Sequence, residues 1–211
     1  MKKKLVAVAL ATIIAVMAVA GASLAWLQET TTPITNTFTE GKVDIELYEH
    51  IYDPTTQDLT ATTTTSGVDN YKMVPGDVLP KDPTVAVVAG SEACWLFVKV
   101  EKINDVDTFL TYEIAAGWTK LSETSDANGN ETVVIYRSVT AADASSGVSY
   151  SVLDDNKVTV NTTVEMSHMN NLTSSDKRPQ LTFTAYAIQN ANIADSNASG
   201  SAVDEAWALI H

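Results

Sequence analysis

Lys157-Val158-Thr159-Val160-Asn161-Thr162-Thr163-Val164-Glu165-Met166 places Val158, Val160, Val164 and Met166 in one phase and Lys157, Thr159, Asn161, Thr163 and Glu165 in the other. A pleated strand turns successive side chains to opposite faces, so this spacing gives one apolar and one wet face; a helix would scatter the same residues around its circumference. The spacing predicts a strand over 157–166. The same period recurs at 42–48, where Val43, Ile45 and Leu47 oppose Lys42, Asp44 and Glu46. It recurs at 181–187, where Leu181, Phe183, Ala185 and Ala187 oppose Thr182, Thr184 and Tyr186.

Cys94, Leu96, Val98 and Val100 form one face of a further strand, and Trp95 and Phe97 make its other face apolar as well before Lys99 and Glu101 turn it wet. A strand apolar on both faces is covered on both sides, so this one is central. Shorter strands are expected at 84–88, 132–137 and 148–153. Turn residues fall between them: Val74-Pro75-Gly76-Asp77, Asp126-Ala127-Asn128-Gly129-Asn130 and Leu153-Asp154-Asp155-Asn156. Gly and Asn tolerate the positive φ that tight turns require.

Short strands separated by turns, with no alternation of strand and helix, predict an all-β antiparallel sandwich of the jelly-roll or immunoglobulin-like kind. One helix is expected near the C-terminus, where Val203, Ala206, Trp207 and Ile210 share a face. Ser201 can cap it, and Asp204 and Glu205 suit its positive end. It is expected to close an end of the sandwich. The Thr-rich stretch 54–67 carries almost no bulky apolar residue and is expected to be a surface loop, with 195–201 a second polar link.

The start of the chain has the form of a secretory leader. Lys2, Lys3 and Lys4 precede an apolar run from Leu5 to Leu27 that dissolves into small residues. Ser23 and Ala25 supply the small side chains that a signal peptidase reads, which places cleavage before Trp26, with a cut after Ala22 as the alternative. An uncleaved membrane anchor is the competing reading, since the run is long enough to cross about 30 Å of hydrocarbon. The expected organisation is a signal peptide over 1–25, an extended arm or first strand over 26–41, and the sandwich over 42–211. The exported protein is then secreted or held at the cell envelope, touching membrane only through its leader.

The formal net charge of −13 includes the three leader lysines, so the exported part is near −16. With 13 Lys and Arg against 26 Asp and Glu, such a surface repels phosphate backbones, and nucleic-acid binding is not expected. Cys94 is the one cysteine, which excludes an intramolecular disulfide and leaves the fold to packing. Its apolar neighbours predict a buried thiol rather than a nucleophile.

Catalytic patterns are not found. His50, His168 and His211 are scattered, and there is no H-E-x-x-H pair, G-x-S-x-G elbow or phosphate-binding glycine loop. Asp126 to Asn130 resembles the opening of a calcium loop. Its glycine comes too early, however, and Arg137 stands where the bidentate Glu belongs, so a hairpin turn is the better reading. No enzyme activity, cofactor or metal site is expected.

The leader ending in Ala25-Trp26, followed by Thr35-Asn36-Thr37-Phe38-Thr39-Glu40-Gly41-Lys42-Val43-Asp44-Ile45, resembles the TasA and camelysin family of Gram-positive bacteria. Val74-Pro75-Gly76-Asp77 with Lys81-Asp82-Pro83-Thr84-Val85 is similar to a turn and strand of that family, and Phe183-Thr184-Ala185-Tyr186-Ala187-Ile188-Gln189 to its last core strand. Residues 101–178 carry no such likeness. The resemblance implies export through a SipW-type signal peptidase, a jelly-roll-like sandwich, and self-assembly into extracellular biofilm-matrix fibres. Some relatives carry a metalloprotease label, from which this chain departs by lacking a zinc motif.

Three functions follow as expectations. In the first the protein is a matrix subunit whose arm, with Ile34 and Phe38 in phase, adds as a strand to the sheet edge of a neighbour. That arm can equally pair within its own domain. In the second the sandwich is a binding module for a cell-surface or carbohydrate partner, with Trp118, Tyr112 and Tyr71 as candidate contacts. The third, a secreted metalloprotease, ranks last.

Overall fold

The computed structural model describes residues 41–65, 71–172, 174, 177–191 and 201–210, all within the unit Gly41–His211. The leader and arm, with Ser23, Ala25, Trp26, Ile34 and Phe38, lie outside the described residues.

The described strands are β1 (Ile45–Asp53), β2 (Asp58–Thr64), β3 (Val78–Pro80), β4 (Thr84–Val87), β5 (Cys94–Ile103), β6 (Leu110–Thr111), β7 (Thr119–Ser125), β8 (Glu131–Val139), β9 (Val148–Ser151), β10 (Lys157–Val160) and β11 (Gln180–Gln189). Helices are α1 (Val106–Phe109), α2 (Ala141–Ser146), α3 (Met166–Asn170) and α4 (Ala202–Ile210). The strands form three sheets, ordered β2-β1-β4-β9, β3-β10-β6 and β11-β5-β8-β7. Every pairing is antiparallel. The fold is therefore β-rich and antiparallel, as the alternating patterns require.

The main core lies between the two four-stranded sheets. Cys94, Leu96, Val98 and Val100 of β5 are fully buried there with Ile135 and Val139 of β8, against Val85 and Val87 of β4. Val43, Ile45 and Leu47 pack onto this core from the chain around β1, and Leu181, Phe183, Ala185 and Ala187 from β11. All seven were expected on apolar faces. They are only partly buried, because β11 ends its sheet and β1 faces it across the gap. A second cluster joins Leu79, Leu153, Val158 and Val160 beneath the three-stranded sheet.

The other face of β5 is also covered, as expected for a central strand. Phe97 and Val134 pack with Val203 and Ala206 of α4 into a third cluster. The C-terminal helix forms where its apolar positions predicted: Asp204 accepts hydrogen bonds from the backbone N–H and hydroxyl of Ser201 at 2.9 and 2.7 Å. It does not close an end of the sandwich. It lies on the outer face of the β5 sheet, because Trp95, Phe97, Tyr136, Tyr186 and Ile188 make that face too apolar to leave wet.

Two further expectations are corrected. The strand at 157–166 ends at Val160, although the alternation runs on. Asn161 breaks it: its side chain donates to the carbonyls of Asp107 and Thr108 at 2.9 and 3.1 Å and accepts from the Thr111 hydroxyl at 2.6 Å, which ties the chain to α1 instead of the ladder. Val164 still reaches the interior at 6% exposure, while Met166 opens α3 at 74%. The stretch 54–67 is also not wholly a loop, since Asp58–Thr64 is strand β2. Branching at Cβ suits threonine to a pleated surface. The loop shrinks to the turn at 54–57, where Asp53 accepts from the Thr55 N–H at 2.8 Å and Gln57 takes a φ of 60°.

The turn at 126–130 is a hairpin between β7 and β8, with Asp126 accepting from the N–H groups of Asn128 and Asn130 and from the Asn130 amide. Gly129 takes a φ of 82°, a conformation a side chain would strain. Asp126 thus holds a turn.

Candidate assembly edges and the core-end cleft

The outermost strand of each sheet decides what can add to it, because its outer N–H and C=O groups lack a ladder. Most edges here are defended. β7 carries Lys120 and Glu123 and a break in register between Lys120 and Ser122. β9 has 4 residues, and the Trp118 indole N–H occupies its Ser151 carbonyl at 2.8 Å. β3 has 3 residues and ends in Pro80, and β6 has 2.

β11 is different. It runs for 10 residues, Gln180-Leu-Thr-Phe-Thr-Ala-Tyr-Ala-Ile-Gln189, without a charge, a proline or a glycine. Its pairing with β5 is regular from Gln180↔Ile103 to Gln189↔Cys94. Among the described residues no strand lies on its other side. Where β11 faces β1, the inward side chains Leu181, Phe183, Ala185 and Ala187 meet Val43, Ile45 and Leu47 at the margin of the core. Lys81 stands over the Phe183 ring at 5.5 Å while both Glu49 oxygens accept from its ammonium at 3.0 Å. The margin is thus apolar along its length and polar at one point.

A cleft of about 280 Å³ opens at another end of the core, floored by Val100, Val133, Leu110 and Ile114. Its rim is charged because β5 and β7 carry Lys102, Lys120 and Glu123 on the inward side there. Lys102 holds Asp107 and Glu131 at 2.8 Å each. Burial opposes its charge, but these hydrogen bonds outweigh burial and hold its pKa above the ordinary lysine range. A lysine held protonated in this way cannot act as a nucleophile or base near neutral pH. Burial pushes the Tyr112 hydroxyl up to about 12, so it remains a neutral phenol. Lys120 is matched by Glu123 at 2.7 Å.

The aromatic residues considered for sugar contacts are engaged in packing. The Arg137 guanidinium lies 3.6 Å from the Tyr150 ring centroid and 5.3 Å from that of Trp118. Tyr71 stacks on Tyr52 at 4.2 Å, and Tyr112 packs against the main core. None of the three stands out as an open platform. His50 lies in strand β1: its ring meets Asp82 at 2.5 Å and its N–H donates to the same carboxylate at 2.9 Å. That contact pins β1 where it leaves β4 and takes up β2. His168 lies in α3, where its ring accepts from the Glu165 N–H. Cys94 is buried at 0% exposure, as its neighbours predicted.

Among the described residues no three His, Cys, Asp or Glu side chains gather as metal ligands, and no helix is long and apolar enough to cross a membrane. Comparison with protein families, curated proteins and solved structures finds no match to this chain.

Proposed function

We propose that the protein is an exported structural subunit rather than an enzyme, a jelly-roll-like sandwich of the TasA and camelysin type that polymerises into extracellular matrix fibres. A SipW-type signal peptidase cuts beside Ser23 and Ala25, and Trp26 begins the mature chain. The arm over 26–41 then adds as a strand to β11 of the next copy. The observation that carries this reading is the long, uncharged, regular edge of β11 in a molecule that defends most of its other edges.

The arm is chemically suited to that edge. Ile34 and Phe38 are four positions apart, so in an extended chain both point to the same side. Laid along β11, that side faces the apolar margin formed with Val43, Ile45 and Leu47. Backbone hydrogen bonds supply affinity, and the two apolar side chains set the register.

The test compares the parent with the double variant Ile34→Asp, Phe38→Asp and with a deletion of 28–39. Electron microscopy should show filaments for the parent and none for either variant, with monomer melting temperatures unchanged. Filaments that persist, or a monomer that unfolds, would remove the donation mechanism.

A further inference from the structure

Arg137 stands where the alternation of β8 calls for an apolar residue. Val133, Ile135, Arg137 and Val139 share one phase of the strand. Ile135 and Val139 are buried in the main core and Val133 packs against it, while Arg137 pairs across the ladder with the fully buried Leu96. The guanidinium lies 3.6 Å from the Tyr150 ring centroid and 5.3 Å from that of Trp118, whose indole N–H is itself fixed on the Ser151 carbonyl. Lys99, Lys102, Lys120 and Lys157, the other Lys and Arg residues of the described strands, each hold a carboxylate within 3.2 Å. Arg137 holds none among the described residues, and its Nε is buried without a hydrogen-bond partner. Burial opposes its charge and lowers its pKa, although a guanidinium stays protonated throughout the working pH range. The aromatic faces offset part of that cost, but a cation drawn out of water without a counter-charge remains costly, and an aliphatic side chain in this phase would avoid it.

We infer that Arg137 is the receptor for a carboxylate from outside the fold, which takes the terminal nitrogens Nη1 and Nη2 as a bidentate pair between the Tyr150 and Trp118 rings. The enclosed Nε leaves binding to those two nitrogens. Gly117 leaves them room: it takes a φ of 90° and has no side chain, and a Cβ there would stand 2.9 Å from Nη2 and 3.5 Å from Nη1. A planar fork matches the two oxygens of a carboxylate, and rings that hold the fork in place prepare it for them. Asp143 of α2 is the one carboxylate whose charge reaches Arg137. It is engaged elsewhere, accepting from the Thr140 hydroxyl at 2.8 Å while its own N–H donates to that oxygen at 3.2 Å. The occupant is a free organic acid or, in a chain with 26 Asp and Glu, an acidic side chain of a second copy. The site uses neither β11 nor the arm.

The test follows the arginine Nε–H signals in nuclear magnetic resonance spectra of the isotope-labelled full-length chain in uncharged detergent, carrying Ile34→Asp and Phe38→Asp so that the arm builds no filaments. Arg137 and Arg178 are the chain's only arginines, and Arg178, exposed and on a loop, is the internal control. Sodium acetate, titrated at constant ionic strength against sodium chloride, should move the Arg137 signal saturably and leave that of Arg178 in place. Acetate should also raise the melting temperature above its value in chloride, an effect lost in Arg137→Gln and Arg137→Lys; should neither variant fold, the titration of the parent decides. A dilution series without acetate separates the sources. An Arg137 signal that moves with protein concentration, and that acetate returns, assigns the carboxylate to a second copy, whereas one that responds to acetate alone assigns it to a free acid. The inference is overturned if acetate moves the Arg137 signal no more than chloride does, or if Arg178 responds equally. It is overturned as well if acetate binds only after Asp143→Asn, since Asp143 is then the partner of Arg137.

Discussion

At the scale of single residues, burial explains more of this molecule than charge does. Cys94 sits at 0% exposure in the main core, and burial pushes its thiol from 9.0 up to about 11. A thiolate is the reactive form, so the folded protein should resist alkylation near neutral pH and label fully once denatured. Mass spectrometry after iodoacetamide reads this directly, and labelling of the native chain at the rate of a free thiol would contradict the buried position. The same shift has a stability consequence. A folded pKa above the unfolded one favours the protonated thiol, so its contribution is complete below about pH 9 and is lost as the pH rises toward 11. Tyr112 adds a later loss between 10 and about 12. The urea midpoint should therefore fall steadily on the alkaline side of pH 9, and a flat profile there would refute both assignments.

At the scale of elements, α4 is the piece whose loss should be easiest to see. It covers the outer face of the β5 sheet through Val203, Ala206, Trp207 and Ile210. The Trp207 ring lies 5.3 Å from Phe97 and 5.5 Å from Tyr186. Trp207→Ala should cost about 2–3 kcal/mol, below the 3–5 typical of a fully buried ring because Trp207 keeps some exposure. Equilibrium unfolding measures the loss, and binding of a hydrophobic dye should rise as the sheet face opens. A neutral substitution would mean that the helix merely rests there. Phe183→Ala, by the same logic, belongs at the lower end of that 3–5 range, since β11 leaves Phe183 half-buried at a sheet edge. The strands readable in the chain were β4, β5, β8, β9, β10, β11 and the start of β1, where apolar spacing matched real burial. β2 and β7 were not readable, because threonine and serine look like loop residues to a hydrophobicity pattern although their backbones pair well. The run beyond Val160 misled in the opposite way, since Asn161 spends its side chain on α1 while the pattern continues past it.

At the scale of the whole molecule, the long uncharged edge of β11 could not be read in advance. Which strand ends a sheet depends on strand order, and β11 at 180–189 pairs with β5 at 94–103, far from it in sequence. Charge, by contrast, is readable at once and constrains assembly. A sequence pI near 4.4 and a net charge of −13 mean that copies of this chain repel one another at neutral pH. The proposed edge pairing through β11 would be short-ranged and made by backbone and uncharged side chains, so it would contribute only after that repulsion has been overcome. Salt shortens the reach of the repulsion, to about 10 Å at 0.1 M and about 3 Å at 1 M, and leaves the strand pairing nearly untouched. Association should therefore speed up and filament yield should rise with added salt, and again as the pH is lowered toward the pI. Light scattering across a salt series, with electron microscopy at each point, measures both. Yield that falls with salt would mean that ion pairs between copies drive assembly, and the β11 edge would then lose its place as the proposed contact.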